Sequence, residues 1–163
     1  MNEQKLTRLV EKFSRTVYGV AYCYLHNSAD ADDIMQDTFL ALYTSNVEFV
    51  RDEHVKAWLI QVTVNKCKNL LRSFEYRATV SLDEAAEIPS EDKCFSGSES
   101  ILPVVMKLKP KSRTVLYMFY YEDMSVKQIA EALGEKTTTV TSRLTRARQQ
   151  LKKILEKEDF YEY

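Results

Sequence analysis

The sequence predicts an all-α chain of two small helical domains, residues 1–77 and 101–163, joined by a flexible acidic linker over residues 78–100. Three observations carry this expectation. Apolar residues recur at steps of three or four through residues 4–26, 34–42 and 54–77, and again beyond residue 101, which is the period of a helix face. The net charge of −1 over 163 residues hides a division, with balances of 0 for residues 1–78, −5 for 79–100 and +4 for 101–163. Finally, Ser125 to Leu155 has the grammar of a helix-turn-helix.

Composition excludes several classes. A hydrophobic share of 45% permits real cores. The amino terminus is charged from the start, and no apolar run approaches the roughly 20 residues of a bilayer span, so the chain reads as soluble and cytoplasmic without direct membrane insertion. Cys23, Cys67 and Cys94 are an odd count without CxxC spacing, which proposes neither a disulfide framework nor a metal site. His26 and His54 lie apart and read as cap or surface residues. No Gly-rich phosphate loop or nucleophile arrangement is present, so neither an enzyme nor a bound cofactor is expected.

The first helix, residues 4–26, buries Leu6, Val10, Phe13, Val17, Val20 and Tyr24. HNSADADD then turns the chain, with Ser28 or Asp30 as cap and acids in the first turn, where the helix dipole favours them. The second helix runs to about Thr44 on Ile34, Met35, Phe39 and Leu42. Its opposite face carries Asp32, Asp33, Gln36 and Asp37, which by composition alone is a solvated acidic surface. A long helix from about His54 to Arg77 follows, with Ala57, Ile60, Val64, Cys67, Leu71 and Phe74 as its seam. Beside that seam Trp58, Gln61, Asn65, Lys68, Asn69, Arg72 and Tyr76 form a second stripe. An aromatic residue with amides and cations suits base stacking and a phosphate backbone, although a buried Trp58 beside a polar surface gives the same pattern.

Residues 78–100 are rich in Ser and acid, keep no helical stripe and read as a tether between independently folded modules. A short helix takes Ile101, Leu102, Val105, Met106 and Leu108, with Pro103 in its first turn. Pro110 breaks and restarts the chain, and a further helix from about Ser112 to Tyr121 buries Val115, Leu116 and Phe119.

Ser125 and Gln128 form a capping-box pair. Ile129, Ala130 and Leu133 supply the buried face of the helix they start, and Gly134 sits where a helix ends in a left-handed residue. After a turn to about Thr137, Val140, Leu144, Ala147, Leu151 and Leu155 step along one face of a second helix. From Lys136 to Lys153 this helix carries six cations and no acid. Thr138, Thr139, Thr141, Ser142 and Thr145 offer short hydroxyls near its start, while Arg143 and Arg146 can fork onto a guanine edge and Lys152 suits a phosphate. The arrangement fits a helix entering the DNA major groove.

These strings also resemble a family. TVTSRLTRARQQL, preceded by QIAEALG, resembles the promoter-reading domain of bacterial sigma factors, particularly the extracytoplasmic-function group of the sigma-70 family. DADDIMQDTFLALY resembles the helix by which those factors grip the clamp helices of core RNA polymerase, and WLIQVTVN with Arg72 resembles their promoter-melting, minus-ten-reading helix. The resemblance implies that Asp33, Gln36 and Asp37 bind polymerase. It implies that Trp58, Gln61, Asn65, Lys68, Asn69 and Arg72 serve the minus-ten element. For the minus-thirty-five element it implies Lys136, Thr138, Thr139, Thr141 and Ser142, together with Arg143, Thr145 and Arg146. It further implies promoter DNA and core polymerase as partners, an anti-sigma factor as inhibitor, and a transcription initiation factor that is not a catalyst. The sequence departs from the family at Asn69, where an acid is frequent, and at Glu135 and Thr138. The alternative is a stand-alone helix-turn-helix regulator that dimerises through its N-terminal domain and reads symmetric half-sites.

Overall fold

The computed structural model describes residues 1–77 and 101–162, all of whose regular elements are helices. The linker expected over residues 78–100, and Cys94 within it, lie outside the described residues. The elements are α1 (Glu3–Leu25), α2 (Ser28–Thr44), α3 (Asp52–Arg77), α4 (Ile101–Val105), α5 (Pro110–Tyr120), α6 (Val126–Leu133) and α7 (Thr137–Glu162).

Local chemistry sets the boundaries. Asn2 caps α1 by accepting from the Lys5 amide at 2.8 Å, and the helix ends at His26 in the left-handed region, φ 50°. α2 begins one residue ahead of the expected caps: the Asn27 side chain accepts from the Asp30 amide at 2.9 Å, leaving Ser28 as the first helical residue. Asn is as good an N-cap as Ser, and the first to occur in HNSAD takes the role. Pro110 occupies the first position of α5, where its missing N–H costs nothing. Both halves of the capping box at Ser125 and Gln128 form, and Gly134 ends α6 at φ 67°.

α1, α2 and α3 pack together over Leu9, Phe13, Val17, Phe39, Leu42, Val55 and Leu59. The long α3 buries Val55, Leu59, Ile60, Val64 and Cys67, whereas Ala57, expected on the seam, is exposed. Val55 and Leu59 lie four apart and take its place on the packed face. In the C-terminal part α7 packs on α4, α5 and α6 through the expected Val140, Leu144 and Ala147.

The two parts share one core. α5 lies against α1, and α6 against α3, so one buried cluster runs from Tyr18, Val20 and Tyr22 through Ile60 and Val64 to Val115, Ile129 and Leu144. Arg113 pins this contact. Its guanidinium, 6% exposed, donates to the carbonyls of Cys23 and Tyr24 at the end of α1, and to Leu108 at 2.8 Å and Met106 at 3.4 Å. α1 has no basic residue in its last turn, so a cation from the other module satisfies its orphan carbonyls and the negative end of its dipole. Beside it, the Tyr117 ring lies on Gly19 so closely that a Cβ there would sit 2.1 Å from the hydroxyl. At the rim Glu122 accepts from Thr16 at 2.6 Å, and its carbonyl accepts from Lys56 at 3.0 Å. The tether expected from the sequence thus joins modules that are docked.

Candidate functional site

The acidic stripe stands as its spacing requires. Ala31, Ile34, Thr38 and Leu42 turn α2 into the core, so Asp33, Gln36 and Asp37 emerge exposed on the far side, while Phe39 is buried at 7%. Gln36 also borders an apolar groove of about 350 Å³ with Leu6, Leu40 and Tyr43, of which Leu40 is 61% exposed. Leu40 and Tyr43 follow Asp37 within two turns and carry no signal in the helical period that separates them from core residues.

On α3 the expected stripe splits. Gln61, Asn65, Asn69 and Arg72 are exposed, and Lys68 is half-buried. Trp58 is half-buried too, its ring edge-to-face with Phe49 at 5.9 Å, so part of the indole is committed to the fold. Its partial exposure lies between the two outcomes that the sequence left open.

After the capping box and Gly134, Val140 and Leu144 hold the start of α7 to the core and leave its other face exposed. Lys136, Thr138, Thr139, Thr141, Ser142, Thr145 and Arg146 are all exposed. The hydroxyls of Thr141 and Thr145 each donate to the carbonyl one turn back, at 2.9 and 3.0 Å. They therefore face outward as acceptors, which suits the amino group of a base better than a phosphate. Arg143 differs from its neighbours. Its guanidinium forms a two-point ion pair with Glu135, at 2.9 and 3.0 Å, and is half-buried. Glu135, one of the residues out of keeping with the family pattern, thus holds an arginine read from the sequence as a base contact. Arg146 has no ion pair among the described residues. Arg148, in the same cationic run, turns aside to stack over Phe119 and Tyr120 and to donate to the Tyr120 hydroxyl at 2.7 Å.

Parts of the two sets that the sequence reading assigned to DNA meet. Lys68 and Arg72 of α3 line one side of a cleft of about 1110 Å³, and Thr138, Thr139, Ser142, Arg143 and Arg146 of α7 line the other. Lys109 and Lys111, at the start of α5, complete it and were not singled out in the sequence, because neither lies in a recognisable motif. Trp58, Gln61, Asn65 and Asn69 are not among its lining residues, nor are Lys136, Thr141 and Thr145. Tyr24 closes the base of the cleft, and burial holds its hydroxyl neutral far above its ordinary pKa. Among the described residues no group of His, Cys, Asp and Glu is arranged to hold a metal ion, and no helix is long and apolar enough to cross a membrane.

Residues 9–75 match the family model of Sigma-70 region 2, and residues 98–151 that of Sigma-70 region 4. The chain is 31% identical over 156 residues to the RNA polymerase sigma factor SigV of Bacillus subtilis, covering 94% of this chain and 93% of that one. It is 26% identical to the ECF RNA polymerase sigma factor SigM of Mycobacterium tuberculosis, over 91% of this chain and 76% of the other. Among solved structures, the sigma factor RpoE of Bartonella quintana, in complex with the anti-sigma factor NepR, superposes with a TM-score of 0.76 at 19% identity. That match covers 94% of this chain and 98% of the other, so it extends across both modules.

Proposed function

Because the chain belongs to the extracytoplasmic-function group of the sigma-70 family of RNA polymerase sigma factors, we propose a division of its surfaces among polymerase and two promoter elements. As a sigma factor it is a non-enzymatic initiation factor that directs RNA polymerase to specific promoters. In this reading residues 1–77 bind core polymerase and open the minus-ten element, residues 78–100 link, and residues 101–163 read the minus-thirty-five element. Asp33, Gln36 and Asp37 meet the basic clamp helices, with charge complementarity setting register and speed of encounter. Trp58, Gln61, Asn65, Lys68, Asn69 and Arg72 track the melted strand. Lys136, Thr138, Thr139, Thr141, Ser142, Thr145 and Arg146 approach the upstream duplex, and Arg143 joins them once Glu135 releases it. The protein acts in the cytoplasm, where polymerase and chromosome are. Two solved structures of similar shape hold a bound protein, the anti-sigma factor NepR in one and the cytosolic domain of CnrY in the other, which supports an anti-sigma factor as a partner of this chain.

The observation that carries the reading is the exposed first half of α7, whose acid-free face follows directly on a glycine turn. The test combines the full chain with core polymerase and promoter DNA. Asp33→Lys with Asp37→Lys should abolish polymerase binding while circular dichroism stays unchanged. Arg146→Ala should cost about 1–3 kcal/mol and relax preference at one base pair, whereas Lys152→Ala should weaken all sequences alike and lower the salt slope by about one phosphate. Undiminished binding and specificity in all of these folded variants would refute the assignment.

A further inference from the structure

The cleft between α3, α5 and α7 carries an unbalanced charge. Among the described residues six of its lining side chains are cationic and none is acidic. Arg143 is answered by Glu135, but Lys68, Arg72, Lys109, Lys111 and Arg146 have no ion pair among the described residues. They come from both modules, so docking brings like charges together with no acid among the described residues to answer them. The start of α5 adds donors of another kind. Its cap residue Lys109 makes no side-chain cap hydrogen bond and Pro110 has no N–H, leaving the amides of Lys111 and Ser112 without a protein acceptor among the described residues. An uncapped helix start facing a ring of cations is the arrangement that binds phosphate groups.

Size and access narrow the ligand. The volume of about 1110 Å³ is slightly above the usual range of small-molecule sites, about 300–1,000 Å³. A duplex would have to bring a major groove about 12 Å wide around α7, with α3 standing across the cleft from it. A short chain of phosphates needs no such clearance, and its negative charges answer most of the cations that have no ion pair among the described residues. We propose that the closed protein binds a triphosphate group, inorganic or carried on a nucleotide, which bridges Lys68 and Arg72 to Lys111 and Arg146. The bound anion cancels the repulsion across the cleft and holds the modules together. It thereby competes with promoter DNA for Arg146 and its neighbours. Only this competition rests on the reading of α7 as a DNA contact.

The test titrates the full chain calorimetrically with sodium tripolyphosphate in one arm and ATP in the other, in magnesium-free buffer. One saturable site is expected. Lys68→Ala and Lys111→Ala, one in each module, should each weaken binding about tenfold, one charged hydrogen bond's worth, and Lys5→Ala on the far end of α1 should not. Equal affinity in the two arms assigns the site to the phosphate chain, and tighter ATP assigns it to a nucleotide. Absence of saturable binding, or equal losses in all three variants, overturns the proposal, as does an unaffected Lys68→Ala. Promoter binding measured separately keeps the two readings apart. Tripolyphosphate binding without promoter binding refutes only the DNA assignment, and promoter binding without tripolyphosphate binding refutes only the anion site.

Discussion

Two residues show how a side chain's role depends on what lies opposite it. Arg143 and Arg146 are indistinguishable in the sequence, yet one is held by Glu135 and the other is unpaired among the described residues. Their difference was illegible because it depends on how the turn after Gly134 places a carboxylate against the second turn of α7. His26 is a second case, read from the sequence as a cap or surface residue and found as the cap of α1, with an electrostatic consequence that no local pattern reveals. It ends α1, stands edge-to-face with Tyr22 at 5.6 Å, and has its pKa lowered, mainly by burial and further by the positive Arg113. A base whose folded pKa is depressed adds stability above its unfolded value. That stability is lost as pH falls through the folded value, because the unfolded chain takes the proton first. The urea midpoint should therefore drop as pH is lowered from about 7 to about 5. His26→Asn keeps a residue tolerant of the left-handed region and should flatten this dependence. Parallel pH profiles for the two proteins would show that His26 is not the group responsible.

At the scale of elements the sequence was most informative where a helix begins or ends by its own chemistry. Ser125, Gln128 and Gly134 predicted the turn between α6 and α7 from local rules alone, and the structure has each in place. Ser125→Ala should cost about 1 kcal/mol in urea unfolding. Gly134→Ala should cost about 1–2 kcal/mol, and the cause is separable because a Cβ there would meet nothing within 4 Å. The penalty is then conformational, and Gly134→Asn should restore part of it. If Asn is no better than Ala, the glycine is needed for some other reason. The sequence was less reliable where two signals competed. Asn27 displaced Ser28 and Asp30 as cap, and Ala57 was placed on a seam that Val55 and Leu59 fill. An alanine fits either face of a helix, so periodicity alone assigns it poorly.

At the scale of the molecule, both modules were legible and their docking was not, because it depends on residues ninety positions apart with no shared pattern. Gly19 and Tyr117 make the point testable. Alanine usually favours a helix by about 1 kcal/mol over glycine. Here its Cβ would lie 2.1 Å from the hydroxyl and 2.3 Å from Cζ of a ring only 2% exposed. Overpacking of this kind costs about 1–3 kcal/mol, which outweighs the helical gain. Gly19→Ala should increase the radius of gyration measured by small-angle scattering while leaving helical content unchanged. An unaltered radius would mean that the ring finds another seat within the docked form. The Arg113 contact has a consequence for synthesis. The carbonyls of Cys23 and Tyr24 wait for a guanidinium encoded 90 and 89 residues later. At bacterial-like elongation rates of about 5–20 residues per second, that delay is on the order of 5–18 s. Throughout it the end of α1 is hydrated, and the nascent N-terminal module exposes the apolar face that α5 will later cover. The chain therefore emerges from the ribosome with residues 1–77 open to the cell before residues 101–162, which pack against them, exist.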